Sequence, residues 1–329
     1  MPGSEPIPEP RDHADQQRQV PRQTGMSDVR SVESATRQFR ALDYRFGGGS
    51  CREAVLTMAM WADRLLKQSN ATEVVRDRLQ VAMADLHNLA GWTCFDTAKP
   101  ESARYHFDQA LQLAVLAGSH DLAANILYRT GRVHLHHEAW RDALHAFRLG
   151  QGSAERGGSD LSVAILCANQ AWAHAKMGDR DDALERLGAA RDAFDRADRD
   201  TAPAWAEFFD ETDLAAITGV IYTDLARTVD SSYTTLAIPS LTLAVDSYPR
   251  GMARSRALSQ IALAMNHVIE HDFDQAAKIG IQAVDSAEEV MSLRVRDRMR
   301  PLLDEVNRYR TDNDAQDLAD RITEFAATG

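Results

Sequence analysis

Gly91, Ala103, Phe107 and Ala110 stand at spacings of 12, 4 and 3, and the arrangement returns 40 residues later as Gly131, Ala143, Phe147 and Gly150, then as Ala171, Ala183, Leu187 and Ala190. A small-small-large-small frame at a fixed period is the mark of a repeat architecture. It recurs after a longer connection in Ala264, Ala276, Gly280 and Ala283, where the large residue is lost, and more weakly in Leu225, Ala237, Leu241 and Ala244. Each unit reads as two helices. The alanine-rich body favours helix, and five of the ten prolines fall within the first 25 residues. The first small residue lets the second helix cross closely, the second small residue meets it at the crossing, and the large residue with the last small one faces the next pair. Such a pair cannot bury its apolar face alone, so neighbours must stack into a solenoid.

This frame resembles the tetratricopeptide repeat, with a period of 40 in place of about 34. The chain is therefore expected to be all-α, a tetratricopeptide-like α-solenoid of about six helix pairs plus C-terminal capping helices. Residues 1–30, with prolines, glutamines and mixed charge, are expected as a disordered tail. Residues 31–197 hold the regular units, 198–213 a longer connection, 214–290 the weaker units and 291–329 the cap. Boundary signals agree: Ser50 with Glu53 and Asn70 with Glu73 read as helix starts, Pro100 suits a first turn, and Gly118, Gly157 and Gly178 suit helix ends.

Composition excludes several classes. A net charge of −12 opposes tight sequence-independent binding to nucleic acid, although 33 of the 37 basic residues are arginine. No stretch approaches the roughly 18 apolar residues of a membrane span, and the N-terminus lacks the pattern of a secretory signal, so the expected location is the cytoplasm. Cys51, Cys94 and Cys167 are odd in number and far apart, which suggests neither disulfides nor zinc.

Motifs with chemical potential have plainer competitors. The Gly47–Gly49 run lacks the remainder of a nucleotide loop and reads as a sharp turn. His134, His136, His137 and Glu138 do not continue into HExxH. Three residues after each first small position stand Cys94, His134, His174 and His267; they read as packing residues, with a pH- or metal-sensitive ladder as the alternative. Arg294, Arg296, Arg298 and Arg300 spread around a helix and read as a solvated face. No catalytic spacing stands out, so no enzyme, cofactor or metal is expected.

In the repeat frame the concave surface is lined by the first helix of each pair. Its groove-facing positions are Asp85, Asn88, Trp92, Phe95 and Asp96; Asn125, Tyr128, Arg132, Leu135 and His136; and Ile165, Ala168, Trp172, Ala175 and Lys176. Aromatic anchors, arginine and amides suit an extended peptide or a helix. The partner-binding candidates are Asn88, Trp92, Asp96, Asn125, Tyr128, Arg132, His136, Trp172 and Lys176. A register shift of one would instead make Trp92 and Trp172 interhelix packing residues.

Longer strings are more specific: RQFRALDYRFGGGSCREAV (37–55), ADLHNLAGWTCFD (84–96), RTGRVHLH and FRLGQGSAE within 127–155, and AWAEFFDETDLAAITGV (204–220). Over residues 30–290 they resemble the helical-repeat region of actinobacterial regulatory proteins, among them negative regulators of sporulation and antibiotic production and helix-turn-helix transcriptional regulators. Many of those carry a DNA-binding domain ahead of the repeats, where this chain has its proline-rich segment. The resemblance implies a non-enzymatic regulator that binds a protein or peptide in its groove and affects transcription or development. The alternatives are a sensor of a small molecule or signalling peptide acting with a separate DNA-binding partner, and a direct DNA-binding regulator.

Overall fold

The computed structural model describes residues 21, 23–68, 70–288 and 293–327. Among them are fourteen α-helices and no sheet, only an isolated bridge between Gln23 and Asn70. The helices are α1 (Met26–Phe46), α2 (Arg52–Gln68), α3 (Glu73–Asp96), α4 (Pro100–Leu116), α5 (His120–His136), α6 (Trp140–Gly157), α7 (Asp160–Met177), α8 (Arg180–Arg196), α9 (Glu211–Thr228), α10 (Thr234–Ser247), α11 (Ala253–Ile269), α12 (Phe273–Glu288), α13 (Leu293–Val306) and α14 (Asn313–Ala327). Successive helices pack as the pairs α3/α4, α5/α6, α7/α8, α9/α10 and α11/α12. Helices α1 and α2 lie on α3 at one end, and α13 and α14 on α11 and α12 at the other. This is paired-helix packing consistent with a helical solenoid.

The repeat frame marks where the pairs meet, with one change of role. The large residue does not turn to the next pair. It sits on the first small residue of its own unit. A Cβ built on Gly91 would lie 2.9 Å from the Phe107 ring, and one on Gly131 2.3 Å from Phe147. In the α9/α10 pair the small partner of Leu241 is Gly219, not Leu225, because the two residues are separated by 22 positions instead of 16. In α12, Gly280 receives Leu318 of α14, which fills the place of the lost large residue.

Helices α3 and α7 are buried on nearly every face, as middle-layer helices must be, whereas the outer α6 and α12 bury one face each. The turn inside a unit repeats as well. Ala98, Glu138, Gly178 and His271, each seven residues after the first small position, have left-handed φ values of 54°, 60°, 75° and 59°. The next N–H donates back to the carbonyl of Cys94, His134, His174 or His267, at 2.9–3.0 Å.

Several expected boundaries move. Of the tail expected over residues 1–30, residues 1–20 and 22 lie outside the described residues, and Met26–Arg30 already belong to α1, which the Asp28 side chain caps by accepting from Gly25 N–H at 2.9 Å. Ser50 does not cap α2: it lies in a 3-10 turn and donates to the Gly47 carbonyl, while Glu53 pairs with Arg52. Thr72, not Asn70, caps α3. Pro100 does open α4, and Gly158, one residue later than expected, closes α6 with φ 72°.

Candidate functional site

The first helices of the units, α3, α5, α7, α9 and α11, share a single cavity of about 290 Å³. Its walls include Trp92 and Phe95 from α3, Asn125, Tyr128, Arg129, Arg132 and His136 from α5, and Ile165, Asn169, Trp172 and Lys176 from α7. Helix α9 adds Asp213, Thr223, Asp224 and Arg227. Three further elements close it: Tyr44 from α1, the 198–213 connection through Trp205 and Phe208, and Arg298 with Pro301 from α13.

Seven of the nine candidate residues line this cavity: Trp92, Asn125, Tyr128, Arg132, His136, Trp172 and Lys176. Two do not. Asn88 is wholly buried, with its amide donating to Asn125 and its carbonyl accepting from Arg129. Asp96 is buried at the far end of α3, where it accepts from Gly48 N–H at 2.9 Å. Asn88 is thus held against α5, whereas Asp96 is covered by the turn that follows α1. Gly47 takes φ 86° to direct the chain onto α3, and a Cβ on Gly48 would lie 2.9 Å from Thr93 Cα. Gly47 and Gly48 therefore permit a close approach of this turn to α3, and farther back along α3 Asp85 is paired with Arg40 of α1 at 2.5 Å.

Trp92 and Trp172 are buried, at 8% and 6% exposure, as interhelix packing residues are, and both also border the cavity. Trp172 Nε1 donates to Asp224 at 2.7 Å, and its ring lies 4.8 Å from the Arg132 guanidinium and 4.6 Å from that of Arg298. Tyr128 stacks on Trp205 at 5.9 Å between centroids, which fastens the long connection over α5.

Lys176 Nζ lies 2.8 Å from Asp224, and Arg227 approaches the same carboxylate at 3.7 Å. Burial pushes the Lys176 pKa down, while Asp224 opposes that shift. His136 bonds Asp297 of α13 at 3.0 Å; burial and then Arg298 push its pKa down to about 4, so it is neutral near pH 7. Asp213 accepts from the Tyr248 hydroxyl at 2.9 Å, and burial raises its pKa to about 7. A second cleft of about 940 Å³ adjoins the cavity, sharing Lys176, Asp224 and Arg298 and bounded by Arg300, Glu305 and Arg308.

Arg298 corrects the reading of the arginine run as a solvated face. Helix α13 folds back so that Arg298 enters the cavity and Arg296 lies 5.5 Å from the Phe325 ring, while Arg300 remains exposed. The side chain of Arg294 lies outside the described residues. The frame also misses Arg129 and Asn169, which share one position, two residues before the first small residue of their units. The histidine column closes turns: His174 Nδ1 meets Asp179 at 3.4 Å and His267 Nδ1 meets Asp272 at 3.3 Å. With Asp182, His174 and Asp179 bring three ligand-type atoms within 4.8 Å, but both acids are exposed. All three cysteines are buried thiols. No helix among the described residues is long and apolar enough to cross a membrane.

No family model matches the chain, and no curated protein matches it in sequence.

Proposed function

We propose that this chain is a non-enzymatic regulatory protein of tetratricopeptide type that holds a short segment of a protein or peptide partner in its concave cavity. One observation carries the reading. The first helices of five successive pairs converge on a single space walled by Trp92, Tyr128, Arg132, Trp172 and Trp205, the residue types that dominate recognition interfaces. The resemblance to actinobacterial regulators adds an effect on transcription or development. The arginine run lends little to direct DNA binding, since Arg298 turns inward onto Trp172. A second reading, a small-molecule sensor working with a separate DNA-binding partner, draws on the cavity volume, which sits at the lower end of the roughly 300–1,000 Å³ of small-ligand sites.

The test is affinity capture with the wild type and a Tyr128→Ala, Arg132→Glu variant, followed by thermal unfolding of the wild type with the purified captured species. A partner retained by the wild type, lost by the variant and raising the unfolding temperature supports the reading. Identical captures by both proteins would sink it.

A further inference from the structure

The cavity has a charge sign opposite to that of the chain. Within a protein of net charge −12, six cationic side chains, Arg129, Arg132, Lys176, Arg227, Arg254 and Arg298, border it, against the carboxyls of Asp213 and Asp224. Asp224 is already shared by Lys176, Arg227 and the Trp172 indole.

Arg129 is the most informative of the six. It is 7% exposed. Its Nη1 donates to the Asn88 carbonyl at 3.2 Å, and its guanidinium lies 5.2 Å from the Trp92 ring centroid. The acids that act on it, Asp43 and Asp85, do so beyond ion-pair distance, and Asp85 is held by Arg40 at 2.5 Å. Among the described residues, then, this buried guanidinium has no carboxylate partner and uses one of its five N–H donors. A buried charge without a counter-ion is costly, and that cost falls when an anion arrives. Three residues along α5, Arg132 places its Nη1 3.4 Å from two neutral oxygens, Tyr128 Oη and Asn169 Oδ1, with its face to Trp172. Among the described residues, the indole N–H of Trp205 is buried and has no acceptor.

From this geometry we infer that the cavity is a site for an anionic organic ligand with an aromatic or apolar body, its acidic group held by Arg129 and Arg132 and its body packed among Trp92, Trp172 and Trp205. The inference rests on the concave-site reading and specifies the chemistry that the site selects. A free aromatic acid and an acidic residue of a short peptide present the same group.

The test uses the full chain and a matched pair of fluorescent probes: 1-anilinonaphthalene-8-sulfonate, which is anionic, and N-phenyl-1-naphthylamine, its uncharged counterpart. The expected result is one anionic probe per chain, bound at least tenfold more tightly than the neutral one. Arg129→Met and Arg132→Met each weaken the anionic probe about tenfold and leave the neutral one within twofold, and Arg129→Lys restores part of the loss. Circular dichroism and the unfolding midpoint establish that each variant is folded, and Arg132→Met alone suffices if Arg129→Met is not. Displacement by 2-naphthoate or by acetyl-Phe-Glu tells which source of carboxylate fits; displacement by neither overturns the inference. So does equal binding of the two probes, or indifference to both substitutions. If the neutral probe binds once per chain without preference for the anion, the concave site stands and the anion inference fails; if neither probe binds, both fail together.

Discussion

Glycine 131 illustrates how much one hydrogen atom decides in this chain. A Cβ there meets the ring of Phe147, itself wholly buried, at 2.3 Å. Gly131→Ala gains about 1 kcal/mol of helix propensity but overfills a tight contact at about 1–3 kcal/mol, and the net is expected to be a loss of stability in urea unfolding. The next unit shows the remedy, with Ala171 and Leu187 at the same two positions. Gly131→Ala combined with Phe147→Leu is therefore expected to recover stability relative to the single alanine variant, a positive coupling in a double-mutant cycle. By contrast, Gly188 in α8 has nothing within 4 Å of its Cβ position, and Gly188→Ala is expected to stabilise by up to about 1 kcal/mol.

Asp213 carries a pH signature at the same scale. Its pKa rises from 3.8 to about 7, chiefly through burial, although the Tyr248 hydrogen bond pulls the other way. A carboxyl that holds its proton longer when folded makes the native state bind more protons than the unfolded one between pH 3.8 and about 7. Stability therefore falls as pH rises through that window and levels off above it. At about 1.4 kcal/mol per pH unit the penalty is no more than about 4 kcal/mol. Asp213→Asn keeps an acceptor for Tyr248 and is expected to match the wild type near pH 4 and to unfold at a higher temperature at pH 8. Equal midpoints at pH 8 would contradict the assignment.

Among the elements, the turn within four of the five pairs is as regular as the helices, the α9/α10 pair being the exception. It needs a left-handed residue at the seventh position after the first small one, and only Gly178, which lacks a Cβ, is of the type that this conformation favours. Ala98→Gly and Glu138→Gly are expected to stabilise by roughly 0.5–1 kcal/mol each, the left-handed cost relieved being larger than the added chain entropy. Gly178→Ala is expected to cost a similar amount, all three read from urea midpoints. This explains what was legible in the sequence. Contacts within a unit depend on residues 16 apart on adjoining helices, so Gly91 with Phe107 and Gly131 with Phe147 surface as a period, and with them the helix pairs and the seven of nine candidate residues that border the cavity. The α9/α10 pair showed only as a weak copy with Leu225 in the place of Gly219, because its contact spans 22 residues. The hiding of Asn88 against α5 and of Asp96 beneath the glycine turn after α1 escaped because coverage by a neighbouring element leaves no period in the covered helix.

At the scale of the whole molecule, the contacts that turn a groove into a cavity are the most distant in sequence. His136 meets Asp297, 161 residues away, and Arg254 at the start of α11 donates to the carbonyl of Asp43 in α1, 211 residues away. Nothing in a local pattern announces such pairs, which is why Arg298 read as solvated. They also alter the mechanics. An open array of repeats interacts only with its neighbours, so its ends fray independently. Here α1 packs against the turn that precedes α11, and Tyr44 and Arg254 border the same cavity, so α1 touches a unit far from it in sequence. Arg254→Ala removes the donor. In hydrogen exchange, the variant is expected to lose protection together in the last turn of α1 and the first turn of α11, with α6 and α8 unchanged. Faster exchange in α11 alone would mean that α1 and α11 move independently and that the cavity does not depend on this closure.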